Sequence, residues 1–379
     1  MEPFKNFFSP ELVGCIADQL ERQMPTFDRR RFERPVLAEL ESLELKARSQ
    51  LIADHLHLAL PRDSDQRFAI LAAMLRPVAD DEAEQLSDAD GIGGWGVMPL
   101  AEVVGQHGID DFDAAMALLR EMTLRFSSEF AVRYFLLADQ TRALEIMEAW
   151  VGDASHHVRR LVSEGTRPRL PWASRLPGLI ADPGPVLPML QSLRDDASEY
   201  VRRSVANHLN DIAKDHPDRV ARLAKEWLGN ADKNRRRLVQ HACRSLIKQG
   251  HPLALQAFGL APPRIELLSL ELETPNVQLG GALGFVATVR STADTPQQLL
   301  VDYRVHFRKA NGRLVGKVFK WKKFTLAAGE TRVDHRSHPI RPITTRRYYA
   351  GEQRLSLRIN GCDFGDERFF LNITDAPSR

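Results

Sequence analysis

Three stretches of this chain repeat one another. Asp153-Ala154-Ser155-His156-His157-Val158-Arg159-Arg160 aligns with Asp196-Ala197-Ser198-Glu199-Tyr200-Val201-Arg202-Arg203, and again with Asn230-Ala231-Asp232-Lys233-Asn234-Arg235-Arg236-Arg237. The offsets are 43 and 34 residues. A period near 40 in a helical stretch indicates helix pairs stacked as a HEAT-like solenoid, each pair burying one face on its neighbours. Glu129-Phe130-Ala131-Val132-Arg133-Tyr134-Phe135 reads as a degenerate earlier copy.

The rest of the first 261 residues agrees with this. Val36, Leu40 and Leu43 recur at helical spacing, and Ala114–Leu119 and Ala131–Leu137 read as helices. Pro10, Pro61, Pro77, Pro99, Pro171, Pro177, Pro183, Pro217 and Pro252 fall where helices begin or end. From Pro262 the pattern changes to alternation. Ile265–Leu272 alternates with one slip at Leu267-Leu268, and Phe285–Val289, Leu299–Phe307, Val315–Phe324 and Arg354–Ile359 also read as strands. Turn signals separate them at Gly280-Gly281, Asp294-Thr295-Pro296, Asn311-Gly312, Ala328-Gly329 and Asn360-Gly361. About seven short strands predict a small immunoglobulin-like β-sandwich without the usual Cys–Trp–Cys core. The expected chain is therefore an all-α solenoid over residues 1–261 and an all-β sandwich over 262–379, joined at Ala261-Pro262-Pro263.

Charge is distributed unevenly. Residues 1–150 hold 15 Lys and Arg against 27 Asp and Glu, residues 151–261 hold 18 against 11, and residues 262–379 hold 19 against 12. An acidic first part and two basic later parts point to a polyanionic partner on one side of the molecule. No stretch reaches the roughly 18 apolar residues of a membrane helix, and Met1–Lys5 does not open a secretory signal. Cys15, Cys243 and Cys362 lie too far apart in sequence to suggest a disulfide framework or a CxxC site, which fits a reducing cytoplasm. No phosphate-binding loop, HExxH helix or GxSxG elbow is present. Gly91-Ile92-Gly93-Gly94-Trp95-Gly96 follows no strand and is no dinucleotide fingerprint; it anchors Trp95 or presents it. His156-His157 lacks zinc-site spacing. No metal or cofactor is expected.

Two arginines follow the start of each repeated helix. In register they form a ladder of Arg159/Arg160, Arg202/Arg203 and Arg236/Arg237, and planar multi-donor heads in a row suit phosphates. The competing reading is that one arginine per repeat pairs with an aspartate of the next. The first clear repeat runs into Ser163-Glu164-Gly165-Thr166-Arg167-Pro168-Arg169-Leu170-Pro171-Trp172. Gly165 reads as a helix C-cap, so Glu164 sits where the macrodipole disfavours an anion, and Arg160 at i−4 offsets this. A carboxylate in this basic, aromatic loop is a functional candidate. Glu121 can pair with Arg125 at i+4, and Glu129 opens a Ser-capped turn.

Taken together, the Arg-bearing repeats, the Ser163–Trp172 loop, the Ser127–Phe135 segment, the opening Phe4-Lys5-Asn6-Phe7-Phe8-Ser9 and Gly94-Trp95-Gly96-Val97-Met98-Pro99 resemble the HEAT-repeat alkyl-DNA glycosylases, the AlkC branch above all. The β-domain resembles the Ig-like extension that some AlkC proteins carry. The resemblance covers about residues 1–255. It implies excision of cationic alkylated bases, 3-methyladenine and 3-methylcytosine, from double-stranded DNA, without extruding the base into a pocket.

On this reading Glu121, Glu164 and Glu129 stabilise the sugar cation or place a water. Trp172, Trp95 and Tyr134 are aromatic contacts. Arg133, Arg159, Arg160, Arg167, Arg169, Arg202, Arg203, Arg236 and Arg237 grip phosphates. In the β-domain Lys320 and Lys322 share one strand face, and with Arg346 and Arg347 they would close on the duplex opposite the solenoid, so that a monomer suffices. Two alternatives keep the fold and drop the chemistry: a non-catalytic HEAT-repeat DNA-binding protein, and a protein-interaction scaffold.

Overall fold

The computed structural model describes residues 3–78, 86–344 and 346–373. Its helices are α1 (Pro10–Gln23), α2 (Arg29–Leu40), α3 (Leu45–Ala59), α4 (Ser64–Ala73), α5 (Val97–His107), α6 (Phe112–Thr123), α7 (Val132–Ala138), α8 (Gln140–Glu148), α9 (His156–Gly165), α10 (Pro177–Ala181), α11 (Leu187–Leu193), α12 (Glu199–Ile212), α13 (Pro217–Leu228), α14 (Lys233–Ala242), α15 (Arg244–Gln249) and α16 (Pro252–Ala257). Pro10, Pro177, Pro217 and Pro252 each open a helix, where the missing N–H goes unneeded. Val36 and Leu40 are buried on α2, whereas Leu43 lies beyond its end. No described helix is long and apolar enough to cross a membrane.

The chain gathers into two compact units. One holds the residues up to 215 together with 232–242, and the other holds 216–231 together with 243 onward. The break at residue 262 thus marks where strands begin, while α13, α15 and α16 belong to the same unit as the strands.

In the first unit α6, α9, α12 and α14 form a row in which each helix packs on the next. The repeated aspartate explains the register. Asp153 Oδ1 accepts the Ser155 N–H at 2.8 Å, and Asp196 Oδ1 accepts the Ser198 N–H at 2.8 Å, so each builds the turn that launches its helix. The other face of the aspartate receives an arginine from the preceding helix. Arg120 Nε donates to Asp153 at 2.7 Å and Arg159 Nε to Asp196 at 2.6 Å. By packing and by this ion pair, α6 holds the place before α9. The 129–135 segment, a candidate earlier copy by sequence, instead runs into the short α7, which packs on α5 and α8. Gly165 is no left-handed cap either. It ends α9 in ordinary conformation, and what favours glycine there is space, since a Cβ would meet Val132 Cγ2 at 2.7 Å; Thr166 Oγ1 caps the helix by donating to the Val162 carbonyl at 2.6 Å.

The second unit carries β1 (Ile265–Leu272), β2 (Asn276–Gln278), β3 (Ala282–Ser291), β4 (Gln297–Arg308), β5 (Leu314–Leu326), β6 (Thr331–Pro339), β7 (Gly351–Ile359) and β8 (Cys362–Asn372). They form two sheets, β1-β3-β6 and β2-β8-β7-β4-β5. The slip at Leu267-Leu268 is a bulge in the β1–β3 pairing. Alternating residues from both sheets, among them Leu283, Phe285, Leu299, Val305, Leu355, Leu357 and Phe369, are fully buried between them. Tyr303 and His338 fill the centre, their Oη and Nδ1 2.8 Å apart. Asn360 and Gly361 turn β7 into β8 with positive φ at both positions, as a tight hairpin requires. The Asn360 side chain also donates to the Ala261 carbonyl at 2.8 Å, tying the end of the helical segment to the sandwich.

Candidate active site

At the end of α9 the charges are arranged in alternation. Arg160 reaches back to the turn before α7, where Nη1 donates to Ser127 Oγ at 2.9 Å and makes a close pair with Glu129 Oε2. Ser127 Oγ donates to the same Glu129 oxygen at 2.8 Å. Arg160 Nη2 lies 3.3 Å from Glu164 Oε1, one helical turn away. Glu164 Oε1 also accepts Arg167 Nη1 at 2.7 Å. Arg167 Nε continues to Asp211 Oδ2 at 2.8 Å, and Asp211 Oδ1 accepts Lys214 Nζ at 2.8 Å. Three carboxylates and three cations thus link α9, its following loop, α12 and the turn before α7.

Burial would by itself push the Glu164 carboxyl up. Arg160, Arg167 and the Ser204 hydroxyl outweigh it and hold Glu164 below the ordinary carboxylate range. Burial likewise opposes the charge on Arg160, but Glu129 and Glu164 keep its guanidinium more firmly protonated than usual. Glu164 is therefore an anion held in a poorly solvated place, 6% exposed. The Tyr200 ring on α12 covers Arg160, its centroid 4.8 Å from the guanidinium carbon.

The loop after α9 presents an aromatic. Trp172 is 62% exposed, yet its φ is +65°, a conformation that a non-glycine residue adopts at a cost. Lys46 on α3 holds its carbonyl at 2.7 Å. Arg133 pins the base of the loop from inside: it donates to the Gly165 carbonyl at 2.9 Å, the Arg167 carbonyl at 2.8 Å and the Ser174 carbonyl at 2.7 Å. Burial and the neighbouring Arg167 push its guanidinium down to about 10.

These contacts redistribute the residues expected at the site. Glu129 and Glu164 come together; Glu121 does not join them and pairs with Arg125, as the i+4 spacing allows. Arg133, 1% exposed and committed to carbonyls, braces the loop and has no face for a phosphate. Arg167 is buried and Arg160 largely so, both among carboxylates. Arg159 ties two repeats together, and Arg169 pairs with Asp215 at 2.7 Å. Arg202 donates to the Asp196 and Ala197 carbonyls at the start of its own helix. Arg203, Arg236 and Arg237 are exposed, and Arg203 and Arg237 line a groove between α12 and α14 with Glu199, Arg202, Asn234 and His241.

Trp95 is committed to an aromatic cluster, stacked on Phe7 at 5.4 Å and tilted against Phe126 at 5.0 Å. Tyr134 donates its hydroxyl to Glu102 and lines a small polar pocket with Lys46 and Phe130. In the second unit Trp321 is an extra residue bulged into β5 opposite Val301 and Asp302. The bulge breaks the alternation expected there. Lys322 pairs with Asp334 on β6, while Lys320 stays exposed. Arg346 lies over the Phe307 ring at 4.2 Å and Arg347 over Tyr349 at 5.6 Å.

Sequence reasoning missed Ser127, Lys46, Tyr200, Ser204 and Asp211. Tyr200 stands inside the repeated unit, where a position otherwise polar turns aromatic, and that signal was available. Asp211 lies 44 residues from Arg167, and no local pattern joins them. Among the described residues no group of three or more His, Cys, Asp or Glu is placed to hold a metal ion.

Comparison with known proteins adds to this geometry. Residues 266–373 match a family described as "Uncharacterised protein YhaZ, C-terminal Ig-like domain". The chain is 34% identical over 363 residues to the uncharacterized protein YhaZ of Bacillus subtilis (strain 168), covering 95% of this chain and 97% of that one. It is similar to the solved structure of Pseudomonas fluorescens alkylpurine DNA glycosylase AlkC bound to DNA containing an abasic site analog. Identity there is 38%, the TM-score is 0.86, and the match covers 98% of this chain and 100% of the other.

Proposed function

This chain belongs to the AlkC family, and on that footing we propose that it is a DNA glycosylase that hydrolyses the N-glycosidic bond of cationic alkylated bases in double-stranded DNA. The observation that carries the proposal is the convergence of Glu129 and Glu164 on one guanidinium, that of Arg160. A base methylated on ring nitrogen is already positive and departs neutral, so little general-acid help is needed. The demand falls on the sugar, which develops oxocarbenium character. Buried anions that are fixed before the reaction stabilise such a charge without reorganising. Glu164 supplies the more buried anion. Glu129, reached by Ser127, is the carboxylate we assign to placing the attacking water. Arg160 lies between the two carboxylates and offsets their mutual repulsion.

The substrates we assign are 3-methyladenine and 3-methylcytosine, engaged through sugar and backbone with the base left unextruded. Trp172 offers a ring face to the lesion. Arg203, Arg236 and Arg237 hold phosphates, as do the Lys320 and Arg346/Arg347 surfaces of the second unit, and the protein acts as a monomer.

A second reading has its own support: Glu121, Glu129 and Glu164 are each paired with an arginine. A non-catalytic DNA-binding protein would tolerate that. Base release separates the two. DNA treated with a methylating agent is incubated with the purified protein, and freed bases are identified by mass spectrometry. Wild type and Glu121→Gln should release 3-methyladenine or 3-methylcytosine at comparable rates, while Glu164→Gln and Glu129→Gln fail yet still bind DNA. Salt-sensitive DNA binding without any base release would establish the second reading.

A further inference from the structure

We infer that Ser204, on the neighbouring repeat helix α12, is a positioning residue that orients the Glu164 carboxylate for the reaction; the inference rests on the role given to Glu164 above. Ser204 Oγ lies 2.6 Å from Glu164 Oε2 and 3.0 Å from Ser163 Oγ, and all three side chains are buried. An ionised carboxylate can only accept, so the single proton of the Ser204 hydroxyl goes to Glu164. The Ser163 hydroxyl must then donate to Ser204. Below this pair His208, wholly buried, lies with Nδ1 2.9 Å from the Ser163 carbonyl. A carbonyl also only accepts, so Nδ1 carries the proton. Two residues one turn apart on α12 thus bracket Ser163, one at its hydroxyl and one at its backbone, and the chain of donors ends on Glu164.

The arrangement has a chemical consequence. Arg160 and Arg167 both approach Oε1 of Glu164, and among the described residues Ser204 is the donor at Oε2. Without the hydroxyl the carboxylate can rotate about its last bond, and its negative charge is no longer aimed. The other charged and titratable groups around Glu164 are Glu129 across Arg160 and Tyr200, His208 and Asp211 on α12. None of them takes the place of the Ser204 donor.

The test uses the full chain with Ser204→Ala, Ser204→Thr, Glu164→Gln and the double variant Ser204→Ala/Glu164→Gln. Single-turnover base release from methylated duplex is measured at saturating enzyme across pH. Affinity is measured on a duplex with an abasic-site analogue, and folding by thermal melting. Ser204→Ala should slow release by about 10- to 100-fold, the range for a hydrogen bond to a charged group, with affinity within about twofold. The acid limb of its pH–rate profile should move to higher pH. Ser204→Thr, which keeps the hydroxyl, should recover most of the rate and the wild-type acid limb.

In the Glu164→Gln background Ser204→Ala should add little, because its effect passes through Glu164. A wild-type rate in Ser204→Ala, or a loss that multiplies fully onto Glu164→Gln, overturns the inference. If Ser204→Ala melts early, Ser204→Thr decides: a folded threonine variant with alanine-like rates would equally overturn it. Undiminished release by Glu164→Gln would instead remove the role given to Glu164, a failure distinct from that of Ser204.

Discussion

Glu129 and Glu164 lie 35 residues apart in sequence and share the guanidinium of Arg160, one through its Nη1 side and the other through Nη2. Two carboxylates gathered in a poorly solvated place repel each other unless a cation sits between them. Arg160 supplies that cation for both, and Arg167 adds a second one at Glu164.

Replacing Arg160 with Met should expose what the shared cation contributes. The variant keeps much of the side-chain volume but takes the guanidinium from Glu129 and leaves Glu164 to Arg167 and Ser204. Breaking a buried pair in this way costs about 3–5 kcal/mol, and the carboxylates should respond by taking up a proton. Urea unfolding should show the loss, smaller at pH 5 than at pH 7. An undiminished midpoint at pH 7 would mean that water already screens the cluster.

Trp172 should matter to binding and hardly to stability. It is exposed and its backbone is strained, so Trp172→Gly removes the ring and relieves the conformation together. We expect an unchanged or slightly raised melting temperature. Affinity for a duplex containing an abasic-site analogue should fall by about 5- to 100-fold, the scale of a lost stacking contact. A large stability loss would instead mark Trp172 as a packing residue.

His208 should make the first unit acid-sensitive. Burial, against the pull of the Ser163 carbonyl, pushes its imidazole down to about 4. In the unfolded chain it titrates near 6.5. Between those values the unfolded state binds the extra proton, so stability rises with pH across the window and is lost on acidification. One group contributes a slope of up to about 1.4 kcal/mol per pH unit. His208→Asn, whose amide can still donate to Ser163, should flatten the difference in unfolding free energy between pH 7 and pH 5. Parallel profiles for wild type and variant would refute this.

Gly250 and Gly361 should tolerate no side chain. Both have positive φ, +77° and +81°, and a Cβ on Gly361 would stand 2.5 Å from the Gly250 Cα. Gly361→Ala therefore meets a steric clash and an unfavourable backbone conformation at once, and should destabilise the second unit by at least about 2 kcal/mol. Calorimetry should show an earlier unfolding transition. Arg358 also donates to the Gln249 carbonyl. Cutting the chain at residue 262 would strip the sandwich of these partners, so surface charge reversals at Lys320 and Arg347 are the cleaner test of its part in DNA binding.

Much of this architecture is legible in the sequence. The repeated unit marks α9, α12 and α14, and at α9 and α12 the structure reuses one aspartate turn and one interhelical ion pair. Alternation, the Leu267-Leu268 slip and five turn signals marked the sandwich, because a pleated strand exposes every second residue. The short β2 and the polar β6 and β8 escaped, since brief or solvent-facing strands carry little alternation. The arginine ladder is legible only in part. Periodicity places Arg159 and Arg202 at one position of the repeat and Arg160 and Arg203 at the next, but it does not say whether an aspartate, a carbonyl or water waits opposite.

That division is physical. Sequence by itself determined the kind of molecule: helical pairs that must stack, strands that must pair, a loop dense in arginine and tryptophan, and carboxylates held nearby. Those follow from local conformational preference and from the period of apolar residues, which act over a few residues at a time. Only the tertiary structure decided which charges neutralise one another. Glu164 meets Ser204 across 40 residues and Arg167 meets Asp211 across 44, and whether a charge is buried or open to solvent depends on such long-range neighbours. Coulomb energy grows steeply as water is excluded, so burial rather than residue type separates the arginines locked into ion pairs inside the fold from those at its surface.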